Sequence, residues 1–337
     1  MTDPLNNVLS LSNENWQHSL KTAMTDPEQL LAALSLPSHL LKDAQRASEL
    51  FPLRVPHEFV SRMAKGDPQD PLLLQVLPIG AEHNEVQGFV TDPLQEASAR
   101  PLPGIVHKYK DRVLLILSGA CAINCRYCFR RHFPYADNQL GGKQWEEALN
   151  YLRQHTELRE VVMSGGDPLV TTDARLARKI SELEEIPHLE RLRIHTRLPV
   201  VIPSRITTSL CESLSKTRFN TVVTLHINHP NELDASVSKG VEQLRRGGVT
   251  VLNQAVVLKG INDQWQTQVA LSRKLFKANI LPYYLFAFDP VAGASHFDTS
   301  IEQIQRMYQE MQRELPGYLL PRLAQEIPGR TSKTLLI

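Results

Sequence analysis

The chain is poor in cysteine, with four in 337 residues, and it has no unbroken apolar run of about 18 residues. So few thiols in so long a chain exclude a disulfide scaffold. The missing run excludes a conventional membrane-spanning helix. Charge of one sign is lacking too. Thirty-seven Lys and Arg face 36 Asp and Glu, a formal net charge of +1, so no global field draws the chain to nucleic acid or to an anionic membrane. The opening stretch "MTDPLNNVLSLSNENWQ" has neither a basic n-region nor a long apolar core, so no secretory leader is expected and the reading is cytoplasmic.

What is present has a rhythm. Residues 1–100 carry short helical patterns such as "EQLLAALSL" and "HEFVSRMAKG", broken by "DPQDP", "LPIG" and "TDP". They read as a helical and irregular N-terminal region packing on the next domain. Over 101–320 short apolar runs recur: "RVLLILSG", "LREVVMSGG", "LERLRIHTR", "NTVVTLHIN", "VTVLNQAVVL" and "ILPYYLFAF". Amphipathic stretches long enough for helices, such as "DARLARKISELEEI", lie between them. Alternating strands and helices imply β/α units around a parallel sheet. Each run ends in residues able to do chemistry, among them Ser164-Gly165-Gly166-Asp167, His195-Thr196-Arg197, His226, Gln254 and Asp289. A barrel gathers all such ends at one mouth, whereas an open sheet gathers them at one switch point. The expectation is therefore α/β, a partial (β/α)6 barrel, followed by a C-terminal segment at 321–337.

Three of the four cysteines sit in "CAINCRYCFRR" as C-x3-C-x2-C: Cys121, Cys125 and Cys128. The fourth, Cys211 in "TTSLCESLSK", falls in a helical pattern after the third run and reads as an inert buried thiol. Structural zinc takes four protein ligands, so three thiolates leave a metal position open for a ligand or substrate. A zinc loop borrowing a distant fourth ligand is the bland alternative. Gly165 and Gly166 let backbone come close to a ligand, or simply make a tight turn.

The spacing after a first strand resembles the radical S-adenosylmethionine superfamily, whose three cysteines hold a [4Fe-4S] cluster that chelates S-adenosylmethionine. The stretches "HKYKDRVLLILSGACAINCRYCFRR", "VVMSGGDPLV", "RIHTRLPVVIPSRIT", "LHINHPNEL", "LNQAVVLKGIND" and "YYLFAFDP" resemble, in order and spacing, the lysine 2,3-aminomutase family. That resemblance implies a radical SAM partial barrel that isomerises L-lysine to β-lysine with pyridoxal 5′-phosphate (PLP) as a third cofactor. It places PLP on Lys333 in "EIPGRTSK", a residue that unaided reading leaves in a solvated tail. Tyr109 and Arg112 match positions near PLP. Gly165, Gly166, Asp167, His226 and Gln254 match positions near S-adenosylmethionine. Arg130 matches the arginine that holds the substrate carboxylate, a task its bidentate fork suits. Asp289 and Glu326 match the acids that hold the distal ammonium.

The chain departs from the family pattern in three places. Gly329-Arg330-Thr331-Ser332 replaces a glycine run, Glu326 stands where relatives have Asp, and only "TLLI" follows Lys333, without zinc-binding cysteines. The short form resembles the bacterial enzyme that makes (R)-β-lysine for elongation factor P, where a separate ligase attaches it. An electron donor such as flavodoxin would serve the cluster. The competing readings are an aminomutase for another amino acid such as arginine, and a non-catalytic iron–sulfur or zinc-binding module.

Overall fold

The computed structural model describes residues 16–336. Nine strands form one sheet in sequence order: β1 (Ile105–Tyr109), β2 (Arg112–Ser118), β3 (Glu160–Gly165), β4 (Arg191–Thr196), β5 (Asn220–His226), β6 (Thr250–Val256), β7 (Leu281–Phe286), β8 (Arg322–Gln325) and β9 (Thr334–Leu335). β2 to β8 run parallel, and antiparallel β1 and β9 form the two edges. The edges share no ladder, so the barrel is partial.

The six apolar runs are β2 to β7. β3 is buried along its whole length, and β4 alternates buried and half-buried positions. The helices between them bury one stripe each. Gly142–Gln154 turns Trp145, Ala148, Leu149 and Leu152 inward, and Ala235–Arg246 does the same with Val237, Gly240, Val241 and Leu244. That spacing of three and four is the helical period of a half-buried surface. Asp234 caps the second of these helices by accepting from the Val237 amide at 2.9 Å.

The sheet is longer than the six runs imply. β8 has four residues, begins beside Pro321 and buries only its middle pair, Leu323 and Ala324, too short to declare itself as a strand. It exists because β7 offers it an open edge. β9 returns antiparallel on β8 and brings the C-terminal segment back to the mouth.

Residues before the barrel are tied to it by backbone. Val90 bridges to Val291, the Asn124 amide donates to the Arg54 carbonyl at 2.9 Å, and the Arg126 amide to that of Gln75 at 2.9 Å. Buried Leu30, Phe59, Leu72 and Val76 belong to the same continuous core as the barrel residues Leu115, Ile194 and Leu225.

Candidate active site

The mouth of the barrel opens into a chamber of about 320 Å³. Every site residue read from the sequence lines it: Cys121, Cys125 and Cys128; Gly165, Gly166 and Asp167; His226 and Gln254; Tyr109, Arg112 and Lys333; Arg130, Asp289 and Glu326. Cys211 does not. It lies on the helix Thr208–Ser215, outside the chamber, and is half-buried rather than buried, since only Leu210 and Leu214 of that helix face the core.

The cysteine loop leaves β2 and is fixed by its own arginines. Arg126 is fully buried against Glu82, donating from Nε at 2.8 Å, and donates to the Phe51 carbonyl at 2.6 Å. Arg131 shares Glu82 at 2.8 Å. Burial, then the neighbouring thiols, pushes Cys121 upward, and burial with Cys125 pushes Cys128 up to about 11. Bare thiolates would be costly there, and a bound cation would offset that cost. Among the described residues no three His, Cys, Asp or Glu side chains converge as ligands of one metal ion. Three soft thiols lining one chamber are a donor set that suits a cluster with one metal position left open.

Gly165 and Gly166 are required by backbone contact. Gly165 has φ +129°, and a Cβ there would lie 2.3 Å from the Ser118 carbonyl oxygen; one on Gly166 would lie 2.5 Å from that of Ala120. The Gly166 amide donates to Ser118 at 2.7 Å and the Asp167 amide to Ala120 at 2.8 Å. The end of β3 therefore clamps the root of the cysteine loop. Asp167 is buried, and its carboxylate accepts from Thr196 Oγ1 and from the amides of Leu169, Arg197 and Leu198. Burial raises its pKa against those bonds.

Charges of both signs line the opposite wall. Lys333 Nζ donates to Glu326 at 2.8 Å and to the Tyr109 hydroxyl at 3.3 Å, and Arg112 stacks on the Tyr109 ring. Lys108 on β1 reaches Glu326 at 3.2 Å. These contacts bring the two edges of the sheet together by side chains. Burial works to raise Glu326, but the Lys333 and Lys108 ammoniums outweigh it and hold the acid at about 2. Asp289 lacks such a partner. Burial, with Glu326 nearby, pushes it up to about 7. Arg130 is buried in a bidentate pair with Glu96, 2.8 Å on each arm, and donates to Ser164 Oγ at 3.3 Å. Burial lowers His226 to about 3, leaving it neutral beside Gln254 at 2.9 Å. His195 Nε2 and Arg193 Nε are buried with no hydrogen-bond partner in a wall shared with Lys333. Unpartnered polar atoms in the chamber that Lys333 also lines fit a polar, anionic cofactor.

Sequence reasoning missed Glu96, Lys108 and Glu232, and it named Arg197 only as a polar strand end without a role. Glu96 lies in a stretch without a motif, and Lys108 sits inside "HKYKDRVLLILSGACAINCRYCFRR" with nothing local to mark it. Glu232 sits inside "LHINHPNEL", and Arg197 directly follows β4 in the recurring pattern of polar strand ends, the signal that singled it out.

Residues 115–269 match the model of the radical SAM superfamily. The chain is 51% identical to an L-lysine 2,3-aminomutase of Haemophilus influenzae, over 96% of this chain and 95% of that one. It is 47% identical to the L-lysine 2,3-aminomutase of Escherichia coli, over 96% and 94%. It is 32% identical to that of Clostridium subterminale, over 95% of this chain and 77% of the relative.

Proposed function

Because this chain belongs to the lysine 2,3-aminomutase family of the radical SAM superfamily, we propose that it converts L-lysine to β-lysine in the chamber at the barrel mouth. The observation that carries this reading is that one chamber is lined by the three loop thiols and by Lys333 at once. The [4Fe-4S] cluster with S-adenosylmethionine supplies hydrogen-atom abstraction, and PLP supplies the conjugated ring across which the amino group moves.

Cys121, Cys125 and Cys128 hold the cluster. Gly165, Gly166 and Asp167 shape the wall beside it, and neutral His226 and Gln254 offer uncharged hydrogen bonds there. Lys333 binds PLP, with Tyr109 and Arg112 alongside. For the substrate, Arg130 takes the carboxylate, sharing its fork with Glu96. The distal ammonium replaces Lys333 at Glu326 and favours the ionised form of Asp289, whose proton leaves to solvent, so that both acids face one cation. The aliphatic stem lies between these ends, and chamber walls such as Phe286 and Phe288 exclude water. Of the N-terminal region, residues 16–100 act as a brace that fixes the cysteine loop through Glu82, and residues 321–336 deliver Lys333.

Among the described residues no helix is long and apolar enough to cross a membrane. The finer reading, supported by resemblance to the short bacterial form, is a cytoplasmic enzyme reduced by a flavodoxin-class donor. Its β-lysine is used by a separate ligase that modifies elongation factor P.

Competition among amino acids tests the charge assignment. Supplied with S-adenosylmethionine and a reductant under anaerobic conditions, the loaded enzyme should turn over lysine and leave norleucine nearly untouched, because norleucine strands two acids without a counter-charge. Arginine used as well as lysine would shift the reading to a broader aminomutase. Norleucine used as well as lysine would contradict the distal site.

A further inference from the structure

Arg197 follows the last residue of β4, and its backbone amide is fixed by Asp167 at 2.8 Å. Its side chain is buried. Nη2 donates to Glu232 at 2.9 Å and to Gln75 at 2.7 Å; Nη1 donates to Cys125 Sγ at 2.7 Å and to the Tyr127 hydroxyl at 2.5 Å. Glu232 is itself fully buried. It accepts from the amides of Asn228 at 2.9 Å and His229 at 3.0 Å, and from Gln75 Nε2 at 3.2 Å. The guanidinium therefore cannot swing to solvent. It is a fixed cation pressed against one of the three loop thiols.

We infer that Arg197 is a positioning residue that sets the reduction potential of the cluster through Cys125, with Glu232 as the counter-charge that moderates it. The inference rests on the proposed assignment of the three cysteines. Accepting one electron from an external one-electron donor makes the cluster more negative. A cation hydrogen-bonded to a ligand sulfur favours that reduced form, strongly so in a buried site. Glu232 lies on the far arm of the same guanidinium and offsets part of its charge. A structural Arg197–Glu232 pair alone would tie the barrel to Gln75 and change thermal stability without touching the potential.

Three variants separate these roles. Glu232→Gln leaves the cation and removes its counter-charge. Arg197→Met with Glu232→Gln removes both charges, so no lone ion is left buried. Arg197→Lys keeps the charge but loses the fork that reaches Glu232 and Cys125 together. Each protein is loaded with iron and sulfide anaerobically, assayed for iron, and titrated with reductant while the cluster is followed by electron paramagnetic resonance. With iron content equal, Glu232→Gln should have a midpoint above the native one, and the double variant a midpoint below that of Glu232→Gln. The second difference should be about tenfold or more in the reduced-to-oxidised ratio at a fixed potential, which is about 59 mV for a one-electron couple. Arg197→Lys should fall below the native midpoint, and it decides the matter if the double variant does not fold. Equal midpoints in native, Glu232→Gln and Arg197→Lys proteins would overturn the inference while leaving the cluster intact. A native protein that takes up no iron–sulfur cluster would instead overturn the site assignment beneath it.

Discussion

Lys333 and Glu326 form a 2.8 Å ion pair across the turn at Pro328 and Gly329, where Gly329 adopts φ +77°. Burial works to lower the lysine, yet Glu326 and Tyr109 together raise it. An ammonium is no nucleophile, so the pair holds the lysine in its unreactive form until cofactor or substrate separates it.

Glu326→Gln should therefore speed PLP uptake by the cofactor-free protein. With the acid gone, burial dominates and lowers Lys333, so more neutral amine is present at pH 8. The growth of imine absorbance after mixing with PLP measures this, and borohydride reduction with a peptide map locates the adduct on Lys333. Slower uptake than native, or label on another lysine, would contradict the assignment.

Asp289 gives stability a pH dependence of definite sign. Its folded-state pKa is raised from 3.8 to about 7, so the folded chain holds its proton more tightly than the unfolded one. Stability from this group is present below about pH 4, is lost as pH rises to about 7, and is flat above that. At about 1.4 kcal/mol per pH unit the loss is on the order of 4 kcal/mol. Asp289→Asn should match the cofactor-free native protein in melting temperature near pH 4 and exceed it increasingly up to pH 7. A constant difference across that range would place the titrating group elsewhere.

Much of this architecture was legible in the residues. β2 to β7 announced themselves because each is a short run, largely apolar or alternating, set off by helical or turn stretches. β8 did not, since four residues without alternation become a strand only beside β7. The three cysteines could be read as a site because their spacing is local. Lys333 could not, because nothing near it in sequence says that β9 folds back on β8 and carries it to Tyr109. Arg130 stood out only through the family resemblance, and its buried partner Glu96 lies 34 residues earlier, so only the fold brings them together. The glycine pair was legible as close approach. The structure shows that what approaches is the backbone of residues 118–120.

The cysteine assignment predicts a sharp division. Replacing Cys121, Cys125 or Cys128 with Ala should cost the iron–sulfur absorbance and the cleavage of S-adenosylmethionine. Cys211→Ala should retain both, since it lies outside the chamber. Iron and sulfide content after anaerobic loading is the readout, and loss of iron in Cys211→Ala would refute the three-ligand site.

Removing the carboxylate fork should be as costly as breaking a buried charge pair. Arg130→Met should weaken use of lysine by about 2–5 kcal/mol, roughly 30- to several-thousand-fold at about 1.4 kcal/mol per tenfold, with iron and PLP content unchanged. Native-like kcat/KM in a fully loaded variant would move the carboxylate site away from Arg130.

The most direct measurement is chromatography of the amino acids left after the loaded protein is incubated anaerobically with L-lysine, S-adenosylmethionine and a one-electron reductant. The account predicts β-lysine from the native protein, dependent on both S-adenosylmethionine and reductant. It predicts none from Cys125→Ala or from Lys333→Ala, which retains its cluster. Lysine left unchanged by native protein carrying full cluster and PLP would contradict it.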